Sequence, residues 1–381
     1  MGGATDPLDL SGERFTAVYH LSGDSDEAAA KAAGICLEQT VEFPADLIRR
    51  PDIEQQIVGR VAALEPLDDG RHEAVIEFPV EIAGRELPQL LNVLFGNVSL
   101  LPGIRLVRFD LPPTLTDRFR GPRFGRAGLR RLSGVPERPL LATAIKPMGL
   151  GPDELADLAG ALARGGMDLI KDDHGLADQE FCPFEERVAR CAAAVAETNA
   201  RLCRTCLYLP NVTAPADRLE QRARFARRAG AGGLVISPGL AGIDAMRRLA
   251  DDDDLGLPLM CHPALLGSFT IGADAGISHG ALLGQIVRLA GADATIFPSF
   301  GGRFSFSEAE CRDLIDGTER PMGSIATAFP APAGGMSLER VPRLIEFYGD
   351  DVILLIGGDL HRHGDSVEDG CRRFAELVEA N

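Results

Sequence analysis

The stretch Leu140–Asp173, LLATAIKPMGLGPDELADLAGALARGGMDLIKDD, decides the fold. It opens with a short apolar run, Leu140 to Ile145, that ends in Lys146. A helix-like segment over 152–165 follows. A second extended run, Met167–Asp173, again ends in charge. Strand, helix and strand within roughly 30 residues is the size of one βαβ unit.

The unit then repeats. Further strand candidates are Leu202–Leu209, Gly233–Ser237, Leu257–His262, Ala294–Pro298, Ser324–Phe329 and Val352–Gly357. Helix-like segments lie at 183–199, 215–229, 241–250, 278–290, 307–316, 337–348 and 366–379. Alternation of this kind implies a parallel sheet. Eight β-α pairs in the C-terminal part of a 381-residue chain predict a closed (β/α)8 TIM barrel, an α/β fold. An open doubly wound sheet would need fewer strands and usually a GxGxxG turn after the first, and Lys146–Gly151 is not one.

Residues 15–115 read differently, as mixed α+β. Arg14–Tyr19, Ala74–Val80 and Arg105–Phe109 are extended, and Ser25–Gln39 and Leu87–Leu94 are helical. An Arg-rich stretch follows, with Arg118, Arg120, Arg123, Arg126, Arg130 and Arg131. It is expected to be a linker paired with acidic neighbours.

Composition narrows the function classes. Hydrophobic residues are 45% and charged residues 25%, as in ordinary globular proteins. The net charge of -17 repels phosphate backbones, so nucleic acid is not an expected partner. No apolar window reaches the roughly 18 residues of a membrane span, and the start of the chain has no secretory pattern, so a cytoplasmic protein is expected. Eight scattered cysteines do not make a disulfide framework. Cys203 and Cys206, in a strand-like run, would face opposite ways and are expected to be plain buried residues.

Barrel enzymes carry their chemistry at the C-terminal ends of the strands. Those ends hold Lys146, then Lys171, Asp173 and His174, then Asn211, His262 and Arg303. Gly334-Gly335 and Gly357-Gly358 follow the last two strands, where this fold cradles phosphate on backbone N–H groups. Asp173 offers an oxygen suited to Mg²⁺, or a salt bridge to a lysine. Lys146 reads as a general base if burial lowers its pKa, or as a Schiff-base lysine. His262 reads as a substrate hydrogen-bonder or a core histidine. Spacing leaves each of these pairs open.

Together these residues resemble the RuBisCO large-subunit superfamily, and more closely its RuBisCO-like (form IV) branch. The marks are Ala144–Pro147, Gly165–Asp168 leading into Lys171–Asp173, Gly96–Val98, Gly121–Gly125, and Gly349–Asp351 ahead of Gly357-Gly358. The resemblance spans nearly the whole chain. It implies a ferredoxin-like α+β domain over 1–125 and a catalytic barrel over 126–381. It implies a homodimer in which Glu38 and Asn97 reach the partner's site. It also implies one Mg²⁺ per site, held by Asp173 and by Lys171 carrying CO2 as a carbamate, with Lys146 moving the proton. Asn211, His262 and Arg303 fall on the substrate side, and Gly335, Gly357 and Gly358 on the phosphate.

Departures shape the expected chemistry. His174 stands where the family's third metal ligand is a carboxylate, and imidazole suits Mg²⁺ less well. Met148 and Pro263 replace cations, and Arg303 replaces the loop lysine that steers CO2. Bisphosphate carboxylation is therefore not expected. An enediolate from a keto sugar monophosphate is, in an isomerase or enolase of the 5-methylthioribulose-1-phosphate type. The alternatives are decarboxylation or transcarboxylation of 3-oxo-isoapionate 4-phosphate, an imine-forming aldolase, and a non-catalytic sugar-phosphate binder.

Overall fold

The computed structural model describes residues 6–302, 304 and 306–381. It carries thirteen strands: β1 (Arg14–Leu21), β2 (Arg60–Pro66), β3 (His72–Pro79), β4 (Ile104–Asp110), β5 (Leu140–Ile145), β6 (Leu169–Asp172), β7 (Leu207–Leu209), β8 (Leu234–Ile236), β9 (Leu259–Cys261), β10 (Gly276–Ile277), β11 (Ala294–Pro298), β12 (Phe329–Ala333) and β13 (Ile353–Ile356). They divide between two compact units.

The first unit holds the described residues up to Phe119, with Gly267–Leu282 and Pro321–Ile325. Its sheet runs β10-β4-β1-β3-β2, antiparallel among β1 to β4. With helices Ser25–Glu38 and Leu87–Phe95, the order β-α-β-β-α-β is ferredoxin-like. The first helix starts at a capping box, in which Asp24 accepts from the Asp26 and Glu27 amides and Glu27 reaches back to Asp24 N. The strand β2, whose residues are all exposed or half-buried, has no apolar alternation to announce it.

The second unit, Arg120–Leu266, Leu283–Arg320 and Ala326–Asn381, is the barrel. Its eight strands are all parallel, in the order β7-β6-β5-β13-β12-β11-β9-β8. Backbone bonds close the seam, from Gly232 N to Tyr208 O and from Val235 N to Pro210 O, each 2.9 Å. The interior is one apolar cluster, including Leu140, Ala142, Leu169, Leu209, Val235, Met260, Ala294, Ile296, Phe329, Ala331, Ile353 and Leu355. Leu129, from the helix Gly125–Ser133, joins it. Layers of branched side chains make this a packed core and not a pore.

Two expectations shift. The seventh barrel strand is Phe329–Ala333 and not Ser324–Phe329. Pro330 and Pro332 hide it, because proline cannot donate to a ladder. Phe329 N donates to Asp293 O on the β11 side, so alternation turns both prolines toward β13, where only Ala333 pairs with Leu355. The helix expected to end at 199 runs over Phe184–Leu202, and the strand after it shrinks to Leu207–Leu209. Cys203 is thus an exposed C-cap residue and Cys206 is buried; both are free thiols.

Four of the arginines after residue 118 pair with acidic neighbours, as expected. Arg120 and Arg123 pair with Asp253, Arg126 with Glu319 and Asp351, and Arg130 with Asp351. No described helix is long and apolar enough to cross a membrane.

Candidate active site

Alternation along each strand selects the residues at the barrel mouth. Leu140 and Ala142 face inward, so Lys146 does too. Leu169 is followed by Lys171 and Asp173 on the same face, Leu209 by Asn211, Val235 by Ser237, and Met260 by His262. Phe329 and Ala331 lead to Gly335, and Leu355 leads to Gly357. Ile356 pairs with Thr143, which sets Gly357-Gly358 one strand away from Lys146.

Lys146 Nζ lies 2.7 Å from Asp173 Oδ2. Gly175 N donates to Asp173 Oδ1 at 3.1 Å, and His174 Nδ1 is 3.6 Å from the same oxygen. Burial pushes the Asp173 carboxyl up, but the Lys146 ammonium and the Gly175 amide more than reverse this, and it titrates below the usual range. The desolvated lysine is Lys171 and not Lys146. Lys171 is 3% exposed, and burial, with help from the Lys146 charge, lowers it to about 8 against the pull of Asp173. Its Nζ donates to Asp172 O at 2.9 Å. Lys146 keeps 46% of its side chain exposed.

His174 and His262 stack, with ring centroids 4.3 Å apart and planes 10° from parallel. Burial, then Lys171 and His174, push His262 down to about 2. It is neutral, and Ala264 N donates to its Nδ1 at 3.2 Å. The ring hydrogen therefore sits on Nε2, which can donate.

Asn211 was expected on the substrate side. Its Nδ2 instead donates to His174 O and Leu176 O, and its Oδ1 accepts from Thr213 N and Oγ1. The side chain is spent on holding the turn after β6. Glu38 and Asn97 lie in the first unit, where Asn97 Nδ2 donates to Glu38 Oε1 at 2.9 Å. Arg303 lies outside the described residues.

Behind the mouth, Asp172 points out of the barrel. It accepts from Tyr208 Oη at 2.6 Å, Arg187 Nε at 3.1 Å and Asn211 N at 3.0 Å. The Asp172–Arg187 pair is 0% exposed on both sides. This anchor fixes the strand end on which Lys171 and Asp173 turn inward. Sequence reading missed it, and missed Ser237, whose buried Oγ has no hydrogen-bond partner among the described residues. Both were detectable by extending the inward and outward alternation past the strand ends.

At Gly357 and Gly358 an added Cβ would meet nothing within 4 Å. Gly335 is different. It has φ +67°, and a Cβ there would stand 2.7 Å from Gly302 Cα. The loops after β11 and β12 touch at this glycine.

The family model of the ribulose bisphosphate carboxylase large chain, catalytic domain, matches residues 127–380. The chain belongs to the RuBisCO large-chain family. A crystal structure of a Rubisco-like protein from Rhodopseudomonas palustris superposes with a TM-score of 0.86 at 39% identity, covering 98% of each chain. The 5-methylthioribulose-1-phosphate isomerase of Rhodospirillum rubrum is 38% identical over 367 residues, 96% of each chain. A 2,3-diketo-5-methylthiopentyl-1-phosphate enolase of Geobacillus thermodenitrificans is 33% identical over 380 residues, covering 95% of this chain and 91% of that one. The chain is a RuBisCO-like protein, and Lys146, Lys171 and Asp173 occupy the mouth of a RuBisCO-type barrel.

Proposed function

We propose that this RuBisCO-like protein forms an enediolate from a keto sugar monophosphate, as an isomerase or enolase of the 5-methylthioribulose-1-phosphate type and not as a CO2-fixing carboxylase. The observation that carries the reading is the buried Lys171 beside the Lys146–Asp173 pair, one strand away from an open glycine pair. The similarity to the R. rubrum isomerase supports the isomerase outcome. A substrate with one phosphate is favoured because Met148 and Pro263 offer no charge for a second.

Among the described residues no three His, Cys, Asp or Glu side chains could hold a metal ion. A carbamate on Lys171 supplies the missing oxygen donor, and an amine lowered to about 8 is suited to take up CO2. In this reading Asp173 and the Lys171 carbamate hold one Mg²⁺, with His174 beside them. An ion bound there would supply Lewis-acid stabilisation of negative charge. Lys146, on a half-exposed stem, moves the proton at the substrate carbon through Nζ. His262 stays neutral and donates from Nε2 to a substrate oxygen. Gly335, Gly357 and Gly358 receive the phosphate on backbone N–H groups, and Arg303 completes the substrate side.

Residues 1–125 and 126–381 act as two domains of a cytoplasmic homodimer, and the bonded pair Glu38 and Asn97 serves the partner's barrel. Proton exchange tests the assignment. With 5-methylthioribulose 1-phosphate in heavy water, wild type should exchange the proton beside the carbonyl. Lys146→Ala should abolish exchange and leave phosphate binding intact. Exchange at the wild-type rate in that variant would sink the assignment.

A further inference from the structure

Arg340 has no part in the site described so far. It lies just before the helix Val341–Tyr348, and among the described residues its guanidinium donates only to backbone carbonyls. Nη1 reaches Gly335 O at 2.6 Å and Gly301 O at 3.3 Å, and Nη2 reaches Phe300 O at 2.6 Å. Two of the acceptors lie on the loop after β11 and the third on the loop after β12. The same cation sits 5.5 Å from the centre of the Phe300 ring. Phe300 is itself buried, with its ring 4.7 Å from Phe347 and 5.9 Å from Tyr348.

Close approach of the two loops depends on glycine. A Cβ at Gly301 would lie 2.9 Å from Arg340 Nη2, and one at Gly335 would lie 2.7 Å from Nη1. The loops are thus bare of side chains where the guanidinium enters. Among the described residues no carboxylate pairs with Arg340, although this protein has 56 acidic residues to 39 basic ones. A half-buried, unneutralised cation at a glycine-lined loop junction favours an anion nearby. Its hydrogen bond to Gly335 O also polarises that peptide, which strengthens the N–H on the peptide's other side as a donor.

We propose that Arg340 is a positioning residue for the substrate's phosphate. It clasps the loop after β11 to the loop after β12 and brings the clasp's positive charge. The inference rests on the reading that the Gly334-Gly335 loop takes a phosphate. It adds that the loop is held in its binding shape before the ligand arrives, through a side chain that never touches the reacting atoms.

The test uses the full chain and inorganic phosphate as probe, by calorimetry, with hydrogen exchange at Phe300–Gly302 and Gly334-Gly335. Arg340→Met, which removes fork and charge, should weaken phosphate about tenfold or more and speed exchange in both loops. Arg340→Lys, which keeps the charge and loses the fork, should fall between. With sugar phosphate, the expected change is a raised KM with kcat close to wild type. Wild-type phosphate affinity in Arg340→Met would overturn the proposal, as would a lowered kcat at unchanged KM. If Arg340→Met does not fold, Arg340→Lys decides alone, and unchanged phosphate affinity there overturns the proposal. A wild type with no saturable phosphate binding would instead overturn the reading of the loops, and Arg340's role with it.

Discussion

The rings of His174 and His262 stack face to face at 4.3 Å, a distance at which two imidazolium charges would repel strongly. Burial keeps a second ring proton off His262, which titrates at about 2. An unfolded histidine titrates near 6.5. Between these values the unfolded chain binds a proton that the folded chain does not, so stability present above pH 6.5 is lost as pH falls. Urea unfolding of metal-free wild type should weaken from pH 7 to pH 5 more steeply than that of His262→Gln. The difference should approach ~1.4 kcal/mol per pH unit below pH 6. Parallel slopes in the two proteins would show that His262 is protonated in the fold.

Lys171 invites a chemical test. An amine lowered to about 8 is half neutral there, whereas an ordinary lysine near 10.4 is almost wholly charged. Only the neutral nitrogen bonds to CO2, and it releases one proton as the carbamate forms. With bicarbonate present, alkylative trapping followed by mass spectrometry should find the carboxylated lysine at Lys171, with occupancy rising through about pH 8. Trapping at many lysines alike, or none at Lys171, would remove the carbamate oxygen from the proposed metal site and leave Asp173 as its one oxygen donor.

Much of this was legible in the sequence, for physical reasons. Alternating strands and helices had one economical closure, and the acidic residues that open Ser25–Gln39 marked a helix start. Charges at strand ends, Lys146, Lys171 and Asp173, located the mouth because burial elsewhere would have been too costly. The strand carrying Pro330 and Pro332 was misplaced because local propensity argues against it, while its β11 ladder needs no N–H from either residue. Which lysine loses its water was not legible. That depends on Lys171 sitting inside the strand and Lys146 beyond it. Arg340 was missed because it bonds to backbone carbonyls, which no side-chain pattern reveals.

Lys146 can be separated from Asp173 by a conservative swap. Lys146→Met keeps the stem and removes the ammonium 2.7 Å from Asp173 Oδ2. Burial still raises the Asp173 carboxyl, and the largest opposing contribution is gone. Its pKa, followed by carbon-13 NMR, should rise. Because Lys146 is half exposed, the melting temperature should stay near wild type. An unmoved Asp173 titration would mean that the two groups do not pair in solution.

The Asp172–Arg187 pair offers the sharpest test of how the mouth is held. Both groups are fully buried, and Arg187 also donates to Cys182 O at 3.1 Å and Ala177 O at 2.8 Å. Arg187→Met therefore leaves a buried carboxylate and two carbonyls without a cation. Breaking such a pair costs about 3–5 kcal/mol, whereas replacing both partners with apolar groups recovers much of that loss. Urea denaturation should show Arg187→Met strongly destabilised and Arg187→Met/Asp172→Leu closer to wild type. The two variants should part on a second measurement. In the double variant Tyr208 Oη and Asn211 N lose their shared acceptor, so the turn that Asn211 holds should loosen and Lys171 should take up CO2 less completely even where stability returns. Full carbamate occupancy in the double variant would show that the strand end is set by the barrel alone and not by this anchor.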